Sequence, residues 1–117
     1  MEIQTTVENG NVQISNEVIS SIVAIAIEEM ENFTLAHERF MAKVFSKNEK
    51  VIKVEADEHG CICITANVCA KYGIKIKEEA KKLQESIIEN VEVMTALNIN
   101  EVNLHILSMI KDTVDAN

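Results

Sequence analysis

Residues 70–106 read AKYGIKIKEEAKKLQESIIENVEVMTALNINEVNLHI, and the fold turns on this stretch. Ile76, Ala80, Leu83, Ile87, Val91 and Met94 recur at steps of three and four, which aligns them in one stripe of a 3.6-residue helix. Lys77, Glu78, Lys81, Lys82, Glu85 and Glu89 fall outside the stripe. Lys81 with Glu85, and Glu78 with Lys82, stand four apart and can pair on the wet face. The spacing predicts a helix from Lys77 to Ala96, about 30 Å long at about 1.5 Å per residue. Glu78 and Glu79 in its first turn favour the helix dipole. Tyr72-Gly73 makes the break before it, and Asn98 suits a left-handed position just past its end. β-segments flank the helix on both sides, so the rest of the chain must cover its apolar stripe.

The segment before it reads as a hairpin: Val51–Asp57, a turn at Glu58-His59-Gly60, and a return strand Cys61–Lys71. Ile62, Ile64, Ala66, Val68 and Ala70 share one face of the return strand, matched by Ile52, Val54 and Ala56 on the first. Lys53, Glu55, Cys61, Cys63, Thr65, Asn67, Cys69 and Lys71 take the other face, which predicts a wetter second side. Beyond the helix, Ile99–Leu107 is a strand with Val102, Leu104 and Ile106 inward and Asn103 and His105 outward. Residues 108–117 read as a polar tail with a helical turn around Met109–Lys111.

Upstream, residues 1–9 suit a loose or edge-strand N-terminus, and Val12 and Ile14 alternate with Asn11 and Gln13 as a short strand after Gly10. Ser15 is a good N-cap, with Ile14 and Ile19 in the positions of a hydrophobic staple. A helix follows from Asn16 to Glu31. It is apolar nearly all round, which predicts burial on more than one side, and its β-branched content requires tertiary packing to hold it. A short strand or turn at Phe33–Leu35, a short helix near Glu38–Phe45 and a polar loop at 46–50 complete the chain. The order β-α-(short element)-β-β-α-β predicts an α+β fold: a two-layer domain, with a mixed β-sheet and two main helices on one face. At 117 residues the length suits one domain over 1–117.

Composition narrows function by exclusion. There are 11 basic and 19 acidic residues, a net charge of -8, which disfavours nucleic-acid phosphates and anionic lipid headgroups. Apolar runs fall short of the roughly 20 residues a membrane span needs, and MEIQTTVENG lacks the pattern of a signal peptide. Three Cys without framework spacing fit a reducing compartment. The P-loop, GxGxxG and GxSxG patterns are absent. Glu28-Glu29 and Glu78-Glu79 are helix-surface neighbours rather than a facing pair. No catalytic constellation appears, so the chain reads as a non-enzyme.

Cys61, Cys63 and Cys69 lie on one strand face, with Cys61 and Cys63 about 7 Å apart and Cys69 about 27 Å from Cys61 at about 3.4 Å per residue. That spacing argues against a disulfide among them. Cys-x-Cys on a flat strand, with His59 or His105 nearby, makes a poor tetrahedral nest, so no metal and no cofactor are expected. The segment Phe33–Phe45 is rich in large apolar side chains. Phe33, Phe40, Met41 and Phe45 are the expected interaction surface, the alternative being that they cap the core. An open strand edge is the other expected contact element.

Three segments carry a family resemblance: Gly10 to Val18 (GNVQISNEV), Tyr72 to Ile76 (YGIKI) and Val91 to Ile106 (VEVMTALNINEVNLHI). Together they resemble the alkaline-shock, general-stress protein family of Gram-positive bacteria. The family tends to have a V-x-G-V turn after the first helix, where this chain has Glu31-Asn32-Phe33-Thr34. It commonly has Gly in an M-T-G-L motif, where this chain has Ala96. The resemblance implies a cytoplasmic, non-enzymatic protein of cell-envelope homeostasis and stress response, acting through protein–protein contacts. It implies homo-oligomers, and membrane association through a separate anchoring protein. Other members of the family are linked to fatty-acid synthesis through acetyl-CoA carboxylase, which makes regulation of that process an alternative role. A small-molecule or metal sensor using the Cys/His side of the sheet is a further alternative. A nucleic-acid module is disfavoured by the charge and by the lack of a GxxG loop.

Overall fold

The computed structural model describes residues 2–7, 10–36 and 50–111. Its central strand is β5 (Ile62–Lys71), whose five even positions from Ile62 to Ala70 are wholly buried apolar side chains. Ile62–Ala66 pair antiparallel with β4 (Ile52–Ala56), and Val68–Ala70 pair antiparallel with β3 (Phe33–Leu35). β6 (Ile99–Ile110) runs parallel to the whole of β5. A strand has two edges, so β4 and β3 lie end to end along one and β6 occupies the other. Asn67 marks the join, taking the amide of Ala36 on its carbonyl at 3.0 Å and giving its own amide to Val51 at 2.8 Å.

Both helices cover the even face. α1 (Asn16–Glu28) contributes Ile19, Ile22, Val23, Ala26 and Ile27, and α2 (Ile76–Thr95) contributes Leu83, Ile87 and Val91. These form one buried cluster with the β5 residues, Phe33, Val54 and Val102. The fold is thus α+β, two helices on one face of a mixed sheet, as the hydrophobic periodicities require. Each apolar side chain moved from water to this layer contributes about 1.5–3 kcal/mol, which holds the β-branched α1 in a helix. Ser15 caps α1, its Oγ accepting from Val18 N at 3.4 Å. β1 (Glu2–Val7) and β2 (Gly10–Ser15) form a separate two-stranded sheet that runs directly into α1, with register from Glu2 opposite Ser15 to Val7 opposite Gly10. The N-terminus therefore takes the strand half of its expected reading.

The β4–β5 turn is organised by Asp57. Its Oδ1 accepts from His59 N at 2.8 Å and Cys61 N at 2.9 Å, while Gly60 supplies the φ of 80° the turn requires.

Several expectations are corrected. α1 ends at Glu28 rather than Glu31, and it is not buried all round: Val18 and Ile25 face solvent because only one layer lies beneath it. Met94 leaves the α2 stripe and is exposed, with Thr95 buried in its place. The left-handed residue after α2 is Ala96 (φ 60°), not Asn98. β6 continues through Ile110, so the expected helical turn at Met109 is strand. The ion pair formed on α2 is Glu79–Lys82, at 3.2 Å. The second face of β5 is wetter at its start and at Lys71 but not between, since Asn67 and Cys69 are buried and Cys69 forms a small cluster with Ala36, flanked by Val51 and Leu107.

Two register shifts in β6 explain that second cluster. Asn100 and Leu107 have no opposite number on β5, because the pairing steps from Ile99 to Glu101 and from Ile106 to Ser108. Each extra residue is a bulge that inverts the in–out alternation beyond it. Leu107 thereby reaches the Cys69 side, and Met109 comes opposite Ala70.

Candidate functional site

Of the four residues expected to form a contact surface, Phe33 alone lies among the described residues. Phe33 is 2% exposed and sits in the main core, so its ring covers α1 and β5 rather than a partner. Phe40, Met41 and Phe45, and the short helix expected near Glu38–Phe45, lie outside the described residues.

The thiols are held apart along β5. Cys63 Sγ donates to Glu101 Oε1 at 3.6 Å and accepts from Asn100 Nδ2 at 3.9 Å. Desolvation pushes its thiol up, and the neighbouring Glu101 carboxylate adds to this against the Asn100 contact. Burial alone pushes up Cys69. Among the described residues no three His, Cys, Asp or Glu side chains are grouped to hold a metal ion. No helix of the described residues is long and apolar enough to cross a membrane.

What the fold presents instead is exposed apolar surface at two separate places. The first spans α1 and α2. Ile25 and Met94, 58% and 67% exposed, line one shallow groove with Ile22, Ala26, Asn90 and Glu29. Val18 lies seven residues before Ile25, two helical turns along the same face of α1, and Val93 adjoins Met94 at 77% exposed. The second lies where β5 turns into α2 and β6 ends. Tyr72 N donates to Ile110 O at 2.8 Å, which brings Tyr72, Met109 and Ile110 together, all exposed. Beside them a cleft of about 240 Å³ is bounded by Asn32, Phe33, Cys69, Ala70, Lys71 and Ile110.

A third element is the outer edge of β6. Among the described residues β6 pairs only with β5, so this edge has no strand beside it. Gln84 reaches over from α2 and donates from Nε2 to Val102 O at 2.8 Å, occupying one outward carbonyl. Side-chain cover of this kind blunts an edge against strand addition.

Sequence pattern alone assigns neither apolar surface. Val18 and Ile25 belong to a run that reads as buried, and Met94 sits at the end of a stripe whose period carries it out over the helix terminus. The available signal is charge: after Lys82, the only charged side chains of α2 are carboxylates.

Among curated proteins, the chain is 33% identical over 109 residues to the uncharacterized protein YqhY of Bacillus subtilis (strain 168), covering 89% of this chain and 80% of that protein. It is 26% identical over 110 residues to the uncharacterized protein Spy1535 of Streptococcus pyogenes serotype M6, covering 92% and 85%. No solved structure matches it. The family match extends over residues 4–111, taking in both helices and both sheets, and on it the chain belongs to the alkaline shock protein 23 family, described as having a cell envelope-related function.

Proposed function

We propose that this protein works without catalysis, by protein–protein contact, in a cell-envelope or stress-response role. The observation that carries the reading is the α1–α2 surface of Val18, Ile25, Val93 and Met94. Contiguous exposed apolar side chains rimmed by polar groups mark interaction sites on folded proteins. Here the rim is Glu29 and Asn90 in the groove, with Glu17 beside Val18. A second copy of the chain, or a membrane-anchoring protein, is the kind of partner such a surface takes, and the working location is the cytoplasm.

The test is an Ile25→Ser/Met94→Ser variant, compared with the wild type by sedimentation velocity and by affinity capture. Both side chains are exposed, so the thermal midpoint should change little. Self-association or partner capture should fall by at least about tenfold, as for the loss of central apolar anchors. Unchanged association in the variant overturns the placement of the surface. A strictly monomeric wild type that captures nothing overturns the contact reading.

A further inference from the structure

We infer that the α1–α2 groove takes a basic amphipathic helix of a different protein, laid across both helices with its apolar stripe inward. The inference rests on the contact reading above and names the chemistry of the partner. The floor of the groove has a helical repeat. Val18 and Ile25 are about 10.5 Å apart along α1 at about 1.5 Å per residue, with Ile22 between them, and Val93 and Met94 face them from α2. Apolar side chains at this spacing on two adjoining helices accept the i, i+3/i+4, i+7 anchors of a third. Every residue lining the groove belongs to α1, its C-cap or α2, so an extended segment would find no open strand there to pair with.

The charge around the groove has one sign. α1 and all of the chain before it contain no Lys, Arg or His, and Glu17, Glu28 and Glu29 are exposed along this helix and its cap. On α2, Glu85 and Glu89 are exposed, and Glu89 stands one turn before Val93. Lys82 is the last cation of α2, two turns before Asn90, and it is bound to Glu79 at 3.2 Å. Lys53 of β4 stands opposite Thr65, on the other face of the sheet. The groove also reaches the C-terminal ends of both helices, since Glu29 caps α1 and Met94 lies in the last turn of α2. Each such end carries about half a negative charge, and neither last turn has a basic residue. Carboxylates in these positions weaken the helices, and a cationic partner offsets that when it docks.

Neither helix of this chain supplies that occupant to a second copy. α1 has no cation, and α2 buries its apolar stripe against the sheet. A two-fold contact through the groove sets Glu29 and Glu89 of one copy against the same carboxylates of the other, which like charge suppresses. The segment joining Ala36 to Val51 contains Arg39, Lys43 and Lys47, but it leaves and returns beside Cys69, on the face of the sheet away from the helices. Residues 37–49 themselves lie outside the described residues.

The experiment uses the full chain and fluorescein-labelled synthetic peptides of about 18 residues, five helical turns. One has Leu at a 3.6-residue period and Lys elsewhere, a second replaces Lys by Glu, and a third scrambles the Leu/Lys order. A shorter peptide reproduces residues 37–49. Fluorescence anisotropy reads binding, and circular dichroism melts confirm that each protein form is folded. The wild type should bind the periodic Leu/Lys peptide, more weakly as salt rises, and at least about tenfold more tightly than the scrambled or Leu/Glu peptide. The Ile25→Ser/Met94→Ser variant and a Glu29→Lys/Glu89→Lys variant should each lose at least about tenfold in affinity for it. Equal binding of the scrambled or Leu/Glu peptide, or equal binding by either variant, overturns the inference, because net charge or another surface then holds the peptide. A wild type that binds none of the peptides overturns it as well. Tighter binding of the 37–49 peptide makes a second copy the occupant and also overturns it. In each of these cases the contact reading stands if Ile25→Ser/Met94→Ser still lowers association or capture in the experiment above, and falls if it does not.

Discussion

Asn32 Nδ2 stands 2.6 Å from Glu79 Oε1, so the loop leaving α1 is tied to the first turn of α2. Lys82 Nζ donates to the other oxygen of the same carboxylate at 3.2 Å. The Lys82 bond first, and the Asn32 bond second, hold the Glu79 carboxyl below the ordinary glutamate range against a smaller desolvation effect. A depressed folded pKa contributes stability above the unfolded value, and that contribution is lost as pH falls through the folded one. Glu79→Gln should therefore lower the urea midpoint at neutral pH, with the gap to wild type closing at strongly acidic pH. Urea melts at the two pH values check this; a gap of equal size at both would show that the carboxylate charge contributes nothing.

Ile87 is wholly buried between α2 and the sheet. Ile87→Ala should cost about 2–4 kcal/mol, from lost transfer energy plus the cavity left behind. Val93→Ala, six residues on but exposed, should stay within about 0.5 kcal/mol of wild type. Denaturant melts of the pair test the stripe assignment directly. A loss below about 0.5 kcal/mol at Ile87 would show it to be wrong.

Asn67 is 4% exposed, and its Nδ2 donates to both Lys50 O and Val51 O at 3.3 Å, at the join between β4 and β3. Its Oδ1 is buried without a partner among the described residues. Asn67→Ala should cost about 1 kcal/mol, since Lys50 O loses a donor while Val51 O keeps the Asn67 backbone N–H. Asn67→Asp should cost more at neutral pH, because a carboxylate there faces carbonyl oxygens. Ionisation is then resisted in the fold, and stability falls as pH rises from about 4. A pH series of melts on the Asp variant reads this out, and a flat profile would place the side chain in water.

Ala96 ends α2 at φ 60°, its N–H donating to Glu92 O at 2.8 Å. For residues with a Cβ this conformation costs roughly 1–2 kcal/mol. Ala96→Gly should raise stability by about 1 kcal/mol after the entropy Gly brings to the unfolded chain. A thermal midpoint at or below wild type would refute the assignment of the cap.

Cys69 is buried beneath Ala36 and Leu107 with its thiol pushed up by that burial, whereas Cys61 is half-buried at the β5 entrance. Iodoacetamide should label Cys61 ahead of Cys69 in the native protein, and all three thiols equally in denaturant. Peptide mass spectrometry resolves the order.

The periodic parts of the chain are legible in the sequence. Ala80 to Val91 and Ile62 to Ala70 carry periods of 3.6 and 2, and the structure packs them into one core as those periods demand, whereas Ile76 at the start of the expected stripe is half-buried outside that cluster. The element ends are not, for identifiable reasons. Asn98 is the better left-handed residue by propensity, yet Thr95 Oγ1 accepts from Leu97 N at 3.2 Å and Glu92 Oε2 from Ile99 N at 3.1 Å, which sets the exit at Ala96. The Gly that the family commonly has at this position is the simpler solution to the same geometry. The end of β6 is hidden by the bulge at Leu107, which breaks the alternation that Ile106 and earlier residues follow. The exposed apolar surfaces are hidden because Val18, Ile25 and Met94 read as core by composition alone, and only the single helical layer decides otherwise.

The parallel pairing of β5 with β6 also sets an order of events during synthesis. β4 and β5 are joined by a tight turn and can pair as soon as both have left the ribosome. β5 cannot receive β6 until α2 has been made and laid across the sheet. At about 5–20 residues per second the nascent chain therefore spends seconds with the β6 side of β5 open. During that interval a strand from a neighbouring nascent chain has access to the same hydrogen bonds, and the length of the interval is set by the number of residues between β5 and the end of β6.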